Sequence, residues 1–160
     1  MQKKILISIF LICCSFGTFS QTGRAVYFEL GGPGVASFNF DTRFGPRNDG
    51  IGGRIGIGGF SIDDESVMFI PLQINYLLGN DNRHYFEIGG GATVVSTNTD
   101  GADDGLFEST FGHLHFGYRL QPAKGGFMFR AAIIPIFGDG DFIPYYAGVS
   151  FGYRFANKNP

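Results

Sequence analysis

The chain has 160 residues, 12 basic against 14 acidic, with 26 glycines, 19 phenylalanines and no tryptophan. That length suits one domain, and an acidic balance excludes a nucleic-acid partner, which needs a basic surface. Both cysteines, Cys13 and Cys14, fall in the first 20 residues, so the rest of the chain has no thiol for a disulfide, thiolate catalysis or a Cys-ligated metal.

Lys3 and Lys4 open the sequence, and Ile5 to Cys14 is an apolar run interrupted only by Ser8. Thr18-Phe19-Ser20 then places small residues at the third-last and last positions before a cleavage point. The pattern predicts a secretory signal peptide over residues 1–20, too short and wrongly flanked for a transmembrane helix. Ile12 lacks the small side chain that precedes a lipidated cysteine. Cleavage after Ser20 leaves one domain over 21–160, starting at Gln21, with 10 basic residues against 14 acidic ones. No later apolar run is long enough for a spanning helix, so any membrane crossing must use strands.

Eight segments read as strands: 24–31, 35–43, 51–60, 66–78, 84–96, 107–120, 126–137 and 144–155. Most reach the roughly 9–11 residues of a tilted spanning strand; the first two are shorter. Side chains alternate between faces along a strand. In 66–78, Met68, Ile70, Leu72, Ile74 and Tyr76 oppose Phe69, Pro71, Gln73 and Asn75. In 84–96, Phe86, Ile88, Gly90, Ala92 and Val94 oppose Tyr85, Glu87, Gly89, Gly91 and Thr93. In 107–120, Leu114, Phe116, Tyr118 and Leu120 oppose His113, His115, Gly117 and Arg119. A soluble barrel puts its large apolar side chains inward. Here the polar face is rich in glycine, as a narrow interior requires, so the phase predicts an eight-stranded antiparallel up-and-down transmembrane β-barrel.

With both termini at one end, the surface loops are 32–34, 61–65, 97–106 and 138–143, and the turns 44–50, 79–83 and 121–125. The loops hold Asp63, Asp64, Glu65, Asp100, Asp103, Asp104, Asp139 and Asp141 and no basic residue, whereas Arg47, Arg83 and Lys124 sit in the turns. The acidic loop of Asp100, Asp103 and Asp104 lacks the ligand spacing of an EF-hand, so it reads as solvated.

Glu29, Asp41, Arg43, Arg54, Glu87, Arg119, Arg130 and Arg154 all fall on the inward phase. Hairpin centres place Asp41 opposite Arg54, Asn75 opposite Glu87 and Glu87 opposite His115, with Arg130 beside Gly117 and Gly152. An eight-stranded interior is just wide enough for side chains, so these charges read as a plug. The competing reading is a narrow gated path for protons or small solutes. His113 and His115 share a face with Glu87, but two histidines make a weak metal motif, and a His–Glu hydrogen bond accounts for them; no metal or cofactor is expected. Ser109, His113 or His115, and Glu87 or Glu108 are parts for a lipid acyl-chain enzyme. Glu108 has the wrong phase and no nucleophile elbow exists, so no catalytic residue is assigned. The run from Gly50 to Gly59 has neither a dinucleotide nor a Walker pattern and reads as room for neighbouring side chains.

The last segment alternates Tyr145, Ala147, Val149, Phe151, Tyr153 and Phe155 with Tyr146, Gly148, Ser150, Gly152 and Arg154. Gly148, Phe151 and Tyr153, closed by Phe155, resemble the C-terminal assembly signal of outer-membrane barrels. With Ile70 to Gly79, Gly117 to Pro122, Gly125 to Arg130 and Ile143 to Gly148, the whole domain resembles small outer-membrane β-barrel proteins of Gram-negative envelopes. It is similar in kind to the OmpA transmembrane domain and OmpW-like barrels, without the peptidoglycan-binding module of full-length OmpA. The resemblance implies an outer-membrane location, contact with membrane lipid and lipopolysaccharide, insertion by the barrel-assembly machinery and a monomer. A structural or surface-interaction role fits best, with a narrow channel as the alternative.

Overall fold

A computed structural model describes residues 23–62, 65–98, 109–138 and 140–156. The signal segment and Asp100, Asp103 and Asp104 lie outside the described residues. The strands are β1 (Arg24–Gly31), β2 (Ala36–Arg43), β3 (Gly50–Ile62), β4 (Glu65–Leu78) and β5 (His84–Asn98), then β6 (Ser109–Leu120), β7 (Gly126–Ile133), β8 (Ile136–Gly138), β9 (Asp141–Ile143) and β10 (Ala147–Arg154). Neighbours pair antiparallel from β5 back to β1, then through β10, β7 and β6, and a β5–β6 pairing closes the ring. The result is a closed eight-stranded barrel, with β8–β9 as a short extension at the loop end.

The alternation read from the sequence decides which face each strand buries. Along β10, Ala147, Val149, Phe151 and Tyr153 are exposed while Gly148, Ser150 and Arg154 are buried. Large apolar side chains crowd the outside: Phe38 is 69% exposed, Ile74 60% and Phe127 58%. Tyr76, Tyr118 and Tyr153 face outward towards the end that carries the chain termini. This is the pattern of an aromatic girdle at a membrane interface.

The structure corrects the sequence reading at three places. The segment 126–137 is broken at Ile134-Pro135, and the last strand starts at Ala147 rather than at 144. Leu114 N–H still donates to Pro135 O (2.9 Å), so β8 continues β7 along β6. Between the pairs Ala147↔Ile133 and Ile143↔Ile136, three residues on one side face two on the other, a bulge where Pro144 cannot donate. What reads as a loop over 138–143 therefore contains half of a small hairpin. Second, the connection over 32–34 is not a surface loop. Positive φ at Gly31 (73°) and Gly32 (70°) turns the chain inward, and Gly32, Pro33 and Gly34 are buried. Third, several registers differ by two residues. Asn75 faces Gly89, Glu87 faces Gly117, and Arg130 faces Arg119 and Ser150. A slip of two keeps each side chain on its predicted face.

The β4–β5 turn gives a test at the terminal end. Asp81 Oδ1 accepts N–H bonds from His84 (2.7 Å) and Arg83 (3.0 Å), and these hold its carboxyl below the usual range. A lowered folded pKa stabilises at pH above the unfolded value of about 3.9 and is lost as pH falls through the folded one. Asp81→Ala should therefore lower the urea midpoint at neutral pH, and the two proteins should converge in strong acid. A gap that persists unchanged into strong acid would show that the carboxylate charge is not what stabilises the turn.

Candidate functional site in the barrel interior

Glycines on the inward face leave the volume that long polar side chains fill. A Cβ on Gly52 would collide with the Arg43 guanidinium, and one on Gly56 with the Asn39 amide. Two clusters result. Towards the loop end, Arg54 of β3 donates to Glu29 of β1, to Asn39 of β2 (2.9 Å) and to Gln73 of β4 (3.3 Å). Ser150 of β10 also donates to Glu29 (3.2 Å).

Glu87 of β5 centres the second cluster. It accepts from Arg130 Nε (3.0 Å) and Nη2 (2.8 Å), Asn75 Nδ2 (3.0 Å) and Arg119 Nη1 (3.4 Å). Asp41 accepts from Arg43 (2.7 Å), from both Arg119 Nη1 (3.1 Å) and Nη2 (2.9 Å), and from Asn75 (2.7 Å). Arg43 also donates to Asn75 Oδ1. The Tyr27 ring joins the clusters, with the Arg130 guanidinium 4.6 Å and that of Arg54 5.6 Å from its centroid. Charge-assisted bonds of this kind are the strong class in a low-dielectric interior.

All eight charges expected on the inward phase are buried. Asp41 and Arg54 are register partners, but their ion pairs lie elsewhere: Asp41 with Arg43 and Arg119, Arg54 with Glu29. Among the described residues, five buried guanidinium groups stand against three buried carboxylates. Arg154 explains part of the surplus, because it donates to the carbonyls of Pro122 (2.7 Å) and Ala123 and to Asn48. It ties the last strand to two turns at the terminal end.

His115 Nε2 lies 3.2 Å from Arg130 Nη2 and 3.9 Å from Glu87, while His113 Nδ1 meets Thr93 Oγ1 at 3.5 Å. A guanidinium thus stands where a cation shared by His115 and Glu87 would sit, and among the described residues no three ligands converge. Glu108 lies outside the described residues. In β10, Gly148 faces inward, while Phe151 and Tyr153 are 46% and 51% exposed and Phe155, just past the strand, is 45% exposed.

Charge alone missed Tyr27, Ser37, Asn39 and Ser150, all buried members of the inward face. Their parity with Glu29, Asp41 and Arg154 was the available signal.

No family model and no curated protein matches the sequence. Among solved structures, the N-terminal β-barrel domain of Pseudomonas aeruginosa OprF aligns with a TM-score of 0.60. The alignment covers 86% of this chain and 98% of that domain at 13% identity. The chain therefore shares with that domain the fold of a closed eight-stranded antiparallel β-barrel, reached through a very different sequence.

Proposed function

We propose that the protein is a small monomeric outer-membrane barrel with a structural or surface-interaction role, its interior closed by the Arg–carboxylate lattice. The observation that carries the reading is the inversion of polarity. Glu29, Asp41, Glu87, Arg119 and Arg130 are at most 1% exposed, whereas the outer wall presents phenylalanine, isoleucine and leucine. A water-soluble protein keeps such charges outside, and a contiguous apolar wall of this extent belongs in lipid. Likeness to the OprF barrel supports the fold on which this rests. The acidic loops then face the medium and the basic turns the periplasm. Gly148, Phe151, Tyr153 and Phe155 are offered to the assembly machinery.

The mature chain, extracted from outer-membrane fractions, should migrate differently on a gel before and after boiling. Reconstituted in planar bilayers, it should give little steady conductance, and Arg130→Ala should raise it by opening the second cluster. A soluble protein without a gel shift overturns the membrane assignment. A wide, steady conductance unaffected by Arg130→Ala overturns the plug.

A further inference from the structure

Above the polar lattice, at the loop end, the inward face changes character. Phe60, Phe69, Val95, Phe111, Ile136 and Ile143 lie on the inward phase there, from β3 round to β9. Phe60 stacks on Phe69 at 6.0 Å, and the pair Ile143↔Ile136 faces the same interior from the other side. Yet Ile143 is 51% and Phe60 44% exposed. Inward side chains with that exposure border open volume among the described residues, so the barrel wall ends in an apolar cup, with His113, Thr93 and Pro71 buried below it.

The cup wall is notched on one side. Pairing between β2 and β3 stops at Ser37↔Gly58, while β3 runs on to Ile62 against β4. The β1–β10 ladder stops at Gly31↔Gly148, while β9 continues beyond it against β8. Among the described residues, the in-turned Gly32–Gly34 segment is what lies between these two taller walls. Below the notch, on the outer face of β10, β1 and β2, runs an apolar groove of about 810 Å³ beside Val26, Phe28, Phe40 and Phe151. Exposed Leu30 and Val35 continue its apolar surface up to the notch. Hydrocarbon surface is thus continuous from the outer wall, over the notch, into the cup.

We propose that the cup binds a neutral hydrocarbon chain, an acyl chain that enters sideways from the membrane through the notch between β3 and β9. The described lining has no lysine or arginine to hold a carboxylate, and exposed Asp141, in register with Gly138, adds a negative charge at the rim. A free fatty acid is therefore a poorer occupant than an uncharged chain. This inference rests on the outer-membrane reading.

The protein lacks tryptophan, so single reporters can be placed. Phe111→Trp, with Val67→Trp (the register partner of Phe60) as a second cup reporter, goes into nanodiscs of phosphatidylcholine brominated in its acyl chains. Met128→Trp reports the sealed half from an equally inward position, with Tyr85→Trp as its substitute. Phe151→Trp reports the lipid-facing wall. Quenching of the cup reporters well beyond that of Met128→Trp supports entry of a lipid chain. In unbrominated nanodiscs, the same difference on adding an ω-bromoalkanol identifies a free hydrophobic molecule as an occupant. Val95→Asp, in a barrel that still shifts on heating, should weaken that alkanol binding at least about tenfold. An unpaired carboxylate beside hydrocarbon costs well over the roughly 1.4 kcal/mol that a factor of ten needs. If Phe151→Trp is quenched but the cup reporters match Met128→Trp under both probes, the cup proposal is overturned. If Phe151→Trp itself escapes quenching, the membrane reading fails.

Discussion

Replacing Glu87 with alanine is expected to be among the most damaging single changes in the interior, costing about 3–5 kcal/mol of unfolding free energy. The carboxylate is fully buried and accepts bonds from Arg130, Arg119 and Asn75. Removing it leaves two guanidinium groups without a shared counter-charge in a space that excludes bulk water, which costs more than the lost bonds alone. Urea unfolding in lipid vesicles, followed by the gel shift, measures the effect. Glu87→Gln keeps the shape and some acceptor capacity, so its loss should be clearly smaller. The pair Glu87→Leu with Arg130→Met should cost far less than the two single changes added together, because the uncompensated charge disappears with its partner. Strict additivity would mean that the lattice is not one coupled unit, and with it would go the account of the interior as a single closure.

That coupling is also what the sequence could not disclose. The period of two is insensitive to small errors of register, so Glu29, Asp41, Glu87 and Arg119 could be assigned to one face without knowing their neighbours. Bonding partners are a different matter. Asp41 stands opposite Arg54 in the ladder, yet binds Arg119, 78 residues away on the far side of the ring. In a barrel this narrow, long side chains meet end to end across the interior, and strand pairing says little about which tips touch. Tyr27 was missed for a related reason, since an aromatic residue on the polar phase becomes intelligible only once two guanidinium groups are seen flanking its ring. The in-turned Gly32-Pro33-Gly34 segment and the bulge after Ile143 depend on backbone geometry that a turn-rich composition permits but does not specify. Those two local features shape the loop end, where the wall is low on one side.

A positive charge on the outer wall should be penalised according to its depth, which tests the membrane reading independently of the interior. Leu72 lies outward near the middle of β4, in register with Ile55 and Ala92, and Tyr76 lies outward nearer the terminal end, level with Ile51 and Ile88. In lipid, Leu72→Arg should cost about 2–4 kcal/mol and Tyr76→Arg about 0–1 kcal/mol, because an arginine near the interface reaches headgroups and water. Both positions are already solvent-accessible on the isolated barrel, at 44% and 50% exposure. For a soluble barrel, either change would therefore fall within about 0.5 kcal/mol of neutral, as surface substitutions do. Comparing the two in vesicles separates the cases, since a general packing defect has no reason to follow height along the strand. A large penalty at Leu72 with little at Tyr76 is the result expected of a wall whose solvent is hydrocarbon. Two near-neutral values would return the same strands to water and remove the physical reason for so many exposed phenylalanines.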